Sequence, residues 1–456
     1  MILITLGQMR RRPAAFVGLA VALFLAVATV TLFGSLFAAD VTAPDAARDT
    51  ATGPGLMVIA GAFGEIAVLV AFFVVVNALG FALRQQHREL ALLRTIAATP
   101  RQARRLVRGQ VVATALLVAG PGWIVGTVAA RRFLSELQGR GMAAPGALVP
   151  ATPVPVLVAL AAVLAVGLMA SSVAARRISR IAPAAALTAS STEHARGGAP
   201  RLLAGTGALV GGGLLLRLSA TQPPDQADRA GQAALLGSLV LLIAVALVGP
   251  PAARALAAVL GVPVRAVAPC AGWLADANLR GYARRLSSAV VPVALLVGLS
   301  GTMLIMTSTA ERAASMTATS VTSDTDVWLR QAELAMLVCF AAVSTVNTLV
   351  AVTAERRREF ALLRLVGATR VQLLRMLTVE AVLTAALGVL LGAAVAGAAS
   401  AAFSVAVTGS AMPSVPVATC WWIVVGAGVL TVPGILATGL RAVRGPAAEL
   451  VGGGRD

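Results

Sequence analysis

The 456-residue chain has no lysine, one tyrosine, two histidines and three cysteines, and only 12% of its residues are charged. Each shortage excludes something. Without lysine there is no orthodox P-loop, whose lysine must neutralise the β- and γ-phosphates. With 4% aromatics there is no stacking platform for bases. Cys270, Cys339 and Cys420 have neither metal-ligand spacing nor a pairing framework, and His87 and His194 are isolated, so no zinc site is expected. A soluble chain would carry about 25% charged residues. What fills the space is apolar: 58% of residues are hydrophobic and the mean hydropathy is +0.88.

The apolar residues come in long runs, and a helix needs about 20 of them to cross the hydrocarbon core. Ten spans are expected, near 14–38, 56–83, 108–130, 153–175, 202–217, 232–253, 287–309, 332–354, 378–407 and 418–440. The fold class is therefore all-α integral membrane. The run from Pro13 to Ala39 is too long for a cleaved leader and reads as a retained first helix. The net charge of +18 does not signal nucleic acid, because the arginines lie between the spans. With the N-terminus inside, 29 of the 37 arginines fall on cytoplasmic segments, while Asp40, Asp45, Asp49, Asp225, Asp228, Asp324 and Asp326 fall outside. The positive-inside rule then puts both termini in the cytoplasm. The outer loops are expected to be short, with no extracytoplasmic domain.

The chain repeats itself at an offset of 270. RELALLRTIAATPRQARR, Arg88 to Arg105, returns as REFALLRLVGATRVQLLR, Arg358 to Arg375, without a gap. Asn77 returns as Asn347 in the preceding span. Each half closes on a weaker echo, RIAPAAAL from Arg180 and RGPAAEL from Arg444. The expected organisation is a four-helix unit over 1–187, two linker helices over 188–270, and a second four-helix unit over 271–456.

The repeated segment reads as an elbow. A helix carrying Arg88, Glu89 and Arg94, or Arg358, Glu359 and Arg364, should break at Ala97 or Gly367, glycine being the natural residue just past a helix end. Thr99 with Gln102, and Thr369 with Gln372, then form capping boxes for a new helix, and Pro100 suits its first position. Such a rigid charged elbow suits transmission of a push from a cytoplasmic partner, and its core includes Ala98 and Ala368. Inside the spans, Glu65, Asn77 and Asn347 are polar and thereby functional candidates. Ala335 aligns with Glu65, and Glu380 with Gln110. Glu380 is expected to offset the charge of a helix N-terminus. The sequence GLSGT at Gly298 to Thr302 lies within a span, where small residues serve packing.

The stretch from Arg358 to Gly397, REFALLRLVGATRVQLLRMLTVEAVLTAALGVLLGAAVAG, resembles the signature of FtsX-like permeases. That superfamily includes macrolide exporters, lipoprotein-extraction permeases and bacitracin-resistance permeases. The resemblance implies the permease subunit of an ATP-driven ABC transporter. Two copies of an ABC ATPase subunit would dock on the turns at Ala97 to Thr99 and Gly367 to Thr369. ATP and magnesium would sit on those partners, and the permease itself would bind no cofactor, hold no catalytic residue and contact membrane lipid. Ten spans in two units match the bacitracin-resistance layout, but the large outer domain of that group has no room between 310 and 331, nor that of the macrolide exporters between 39 and 55. Two functions follow: export of a hydrophobic or amphiphilic compound such as a drug, peptide antibiotic or lipid, or an ATP-driven signalling scaffold that transports nothing. The alanine- and arginine-rich composition suggests a high-GC bacterium, and the expected location is its cytoplasmic membrane.

Overall fold

A computed structural model describes residues 13–44, 55–85, 100–144, 146–150, 152–179, 198–267, 283–317, 324–354 and 357–444. Its long elements are all helices: α1 (Pro13–Thr42), α2 (Leu56–Gln85), α3 (Pro100–Gly139), α4 (Val154–Ser179), α5 (Gly198–Ala220), α6 (Ala227–Val267), α7 (Ala283–Thr317), α8 (Asp324–Ala354), α10 (Arg370–Thr408) and α11 (Val417–Arg444), with a short α9 (Arg357–Leu365) before α10. There is no strand among the described residues. In hydrocarbon every backbone N–H and C=O must be paired within the segment, and a helix does this locally. Among the described residues eight helices are long and apolar enough to cross a membrane, and α2 and α4 carry shorter apolar stretches.

The chain divides into two compact units, Met1–Thr192 and Glu193–Asp456. In the first, α1 packs on α2, α3 and α4, and α2 and α3 each also pack on α4. In the second, α7 packs on α8, α10 and α11. The hairpin of α5 and α6 belongs to this second unit, because α6 lies on α7 and α10. As a result 89% of the apolar window of α7 is buried, against 44% for α1, its counterpart in the first unit.

The repeat is visible in the packing. A β-carbon on Gly122 of α3 would lie 2.8 Å from Val27 of α1, and one on Gly392 of α10 would lie 2.8 Å from Val297 of α7. Each pair is the other shifted by 270. The Thr114 hydroxyl donates to the Gln110 carbonyl at 2.7 Å, and Thr384 repeats this with Glu380 at 2.7 Å. Close helix approach at small residues is how apolar helices associate where no hydrophobic drive exists between them. The glycine in GLSGT follows the same rule, since a β-carbon on Gly301 would meet the Ala396 side chain at 3.1 Å.

Helix α3, with 40 residues, is about 60 Å long, roughly twice the hydrocarbon thickness. Arg108 and Arg131 bracket its apolar stretch, so nine residues, Arg131 to Gly139, run on past it at the end of α3 away from Pro100. The sequence places a loop there. The structure has a packed collar instead: Leu134, Leu137, Met142, Ala143, Ala144 and Ala147 are buried. The Gln138 amide clamps it by donating to the Ala144 and Ala147 carbonyls at 3.0 and 2.8 Å. Phe33, Phe63 and Phe133 stack beneath it with ring centroids 5.5 to 6.3 Å apart.

Candidate functional site: the elbow between α9 and α10

Helix α9 ends because Gly367 takes a left-handed φ of +100°, a conformation that side-chain-bearing residues avoid. The turn closes as a Schellman motif. The Ala368 N–H donates to the Leu363 carbonyl at 3.0 Å, and the Gly367 N–H to the Arg364 carbonyl at 3.1 Å, so carbonyls orphaned by the helix end find donors. The accompanying apolar contact is made as well, with Leu363 and Ala368 packed against one cluster.

Two residues later α10 begins with the expected capping box. The Thr369 N–H donates to the Gln372 side chain at 2.9 Å, and the Gln372 N–H donates to the Thr369 hydroxyl at 3.3 Å. Helix end and helix start are thus locked back to back, with no slack residue between them.

The elbow is anchored on one side and open on the other. Phe360 and Ala361 are fully buried, and Phe360 packs with Leu373, Met376, Leu377, Ala381 and Ile435. The anchor recurs in the first unit, where Leu106, Val107 and Val111, 270 residues before Met376, Leu377 and Ala381, are buried too. On the open side Leu362, Leu365, Val366 and Val371 are exposed, Val366 by 88%. These four apolar side chains were not singled out by sequence reasoning. The signal was present, since helical periodicity places Leu362, Leu365 and Val366 off the face that carries Phe360 and Leu363. A charged helix that also presents aliphatic tips is a surface made for a protein partner.

Of the other expected site residues, Glu359 and Arg364 lie on α9, both partly buried, and Arg358 belongs to the same helix. Gly367, Ala368 and Thr369 form the turn itself. Arg88, Glu89, Arg94, Ala97, Ala98 and Thr99 lie outside the described residues. On the far side of that gap α3 starts at Pro100, as its sequence suggests.

Of the three intramembrane candidates, two lie on α2 and one on α8. Glu65 is exposed on α2. The contact between the Phe63 and Phe133 rings, 6.0 Å apart, places Glu65 within about a turn of the level of Arg131, hence near the far boundary of the apolar layer. Asn77 lies on α2. Asn347 is half-buried on α8 between buried Ser344, Thr345 and Thr348. Glu380 departs from its expected role. It stands a full ten residues past Arg370, where α10 begins, and the field of a helix terminus does not reach beyond the first turn.

The FtsX-like permease C-terminal family matches the chain twice, over residues 61–183 and 333–447, which together make up just over half of it. The second match contains the whole elbow, and each match contains one copy of the repeated segment. No curated protein matches the chain.

Proposed function

Because the chain belongs to the FtsX-like permease family, as a multi-pass permease subunit of an ABC-type transporter, we propose that it exports a hydrophobic or amphiphilic compound using ATP hydrolysed on two ATPase copies. One copy docks at each elbow. The observation that carries this reading is the elbow of the second unit: a turn locked by a Schellman motif and a capping box, buried on its inner side and apolar on its outer side. A turn with no slack passes displacement of a docked partner directly into α10, which packs on α7 and α11.

The arginine distribution supports an orientation with elbows and termini in the cytoplasm, in the plasma membrane of a bacterium. Exposed Trp421 and Trp422 stand at the opposite end, four and five residues into α11 from Val417. Tryptophan favours that headgroup level. Cargo from the membrane or the cytoplasmic side suits the short outer segments that the sequence leaves between its spans.

The test is ATPase stimulation. The permease is co-purified with the ATPase from its own operon and reconstituted, and hydrolysis is compared with Leu365→Asp/Val366→Asp. The charged elbow is expected to lose stimulation at least tenfold while inserting and melting normally. Unchanged stimulation would remove the docking role. Coupled hydrolysis with no export of any amphiphile in inverted vesicles would instead favour the signalling scaffold.

A further inference from the structure

The two units are unequal where their counterpart helices look inward. On α2 the positions Val74, Val75 and Ala78 are buried, at 2%, 0% and 5% exposure. Shifted by 270, the same positions on α8 are Ser344, Thr345 and Thr348, at 3%, 0% and 2%. The matched positions are thus equally buried, and on α2 they are filled by purely apolar side chains. On α7, Ser300 stands where α1 has Val30. It lies a turn past Leu296 and Val297, on the face that meets Val338, Ile423, Ala427 and Leu430 of the surrounding helices. Thr431 of α11, a turn past Ala427, is fully buried as well.

Counted at about 1.5 Å per residue from Glu311 on α7 and Glu333 on α8, Ser300 and Ser344 are each about 16 Å deep, near the middle of a hydrocarbon layer about 30 Å thick. Thr345 and Thr348 continue the series toward the elbow side. The Ser300 and Ser344 hydroxyls are buried with no hydrogen-bond partner, as are those of Thr31 on α1 and Ser400 on α10, whereas Thr431 donates to the Ala427 carbonyl at 2.6 Å. Burying a hydroxyl without a partner costs roughly 1–3 kcal/mol, and a native fold normally resolves such a cost with ordered water. Helix α1 makes the opposite exchange at Thr31 and Ser35, which face Gly301 and Ile305 in the alignment. The contrast is therefore carried by α8, at three interior positions within five residues.

We infer that the interior of the second four-helix unit holds a water-admitting, hydroxyl-lined seam, formed by Ser300, Ser344, Thr345, Thr348 and Thr431, that solvates the polar headgroup of the cargo, while the matching face of α2, at Val74, Val75 and Ala78, stays dry. The headgroup role rests on the export reading above; the hydration does not. Neutral hydroxyls at this depth suit an uncharged hydrogen-bonding head, such as a polyol, amide or sugar.

The experiment is thiol accessibility in the permease–ATPase complex. Cys270, Cys339 and Cys420 are first replaced by alanine. Single cysteines are then introduced by Ser300→Cys and Ser344→Cys, near-isosteric changes, and at the buried counterpart of Ser344 by Val74→Cys. The probe is a charged methanethiosulfonate, which reacts only with hydrated thiolate. The second-unit cysteines are expected to react at least tenfold faster than Val74→Cys, and faster still during ATP turnover. Equal rates at Ser344→Cys and Val74→Cys, or no reaction at Ser300→Cys and Ser344→Cys in any nucleotide state, would overturn the seam. Labelling is also read without ATP and on the permease alone, so failure of ATPase docking leaves this result readable.

Discussion

Gly367 is the residue on which the elbow turns. At φ +100° a β-carbon would meet nothing within 4 Å, so the cost of Gly367→Ala is backbone strain alone, about 1–2 kcal/mol. The expected outcome is a softened turn: severalfold weaker ATPase stimulation with an almost unchanged melting temperature, measured side by side in detergent. The reciprocal change, Ala97→Gly, gives the first copy the residue that the second already has, and stimulation is expected to stay level or rise. Thr369→Ala removes the acceptor for the Gln372 N–H and should cost about 1 kcal/mol of local stability, seen as faster amide exchange over the first turn of α10. At this scale much was legible. Thr369, Gln372 and Gly367 announce a cap, a box and a helix stop by residue type alone. The direction of Leu362, Leu365 and Val366 was written in periodicity, but apolar residues beside a membrane span look like more span until a fold shows which side is covered.

Among the helices the informative contacts are the crossings of α1 with α3 and α7 with α10. Gly392 faces the Ala294 carbonyl and the Gly298 amide, with an added β-carbon at 2.8 and 2.9 Å from them. Backbone atoms cannot step aside as a flexible side chain can. Gly392→Val is therefore expected to separate the helices and sharply reduce the monodisperse fraction in fluorescence-detected size exclusion. Gly397→Val, one and a half turns on, where a β-carbon meets nothing within 4 Å, should behave as wild type; equal damage from both would show that α10 tolerates no bulk anywhere. Hydropathy found these helices because hydrocarbon selects for it. It did not find the ends of α3, since Phe133, Leu134 and Leu137 serve a collar core past Arg131 and share the composition of a span without its continuity. Nor could it find that α6 lies on α7 and α10 and α5 on α10: apolar helices carry no label for their neighbour, and close approach is set by glycine positions such as Gly212, 2.8 Å from Leu241 for an added β-carbon, and Gly237, 2.7 Å from Leu216.

For the whole molecule, the docking reading proposed above makes the duplication set the stoichiometry. An ABC permease built from single units must dimerise to meet an ATPase pair. Here one chain carries two copies of the repeated segment, at Arg88 to Arg105 and Arg358 to Arg375, and two matches to the same family. One permease with two ATPases is the composition expected by native mass spectrometry of the detergent-solubilised complex. The repeats also allow each dock to be removed separately. The double change Glu359→Lys with Arg364→Glu reverses the charge pattern of α9 while leaving buried Phe360 and Ala361 in place. Without nucleotide, when the ATPases do not hold each other, this variant should retain a single ATPase copy, and substrate-stimulated hydrolysis should fall at least tenfold because the surviving dock has no partner to close against. Retention of both copies with normal hydrolysis would mean that binding energy comes from elsewhere on the cytoplasmic face. Loss of both copies would mean that the two docks are coupled through the permease, so that a change at one elbow is felt at the other.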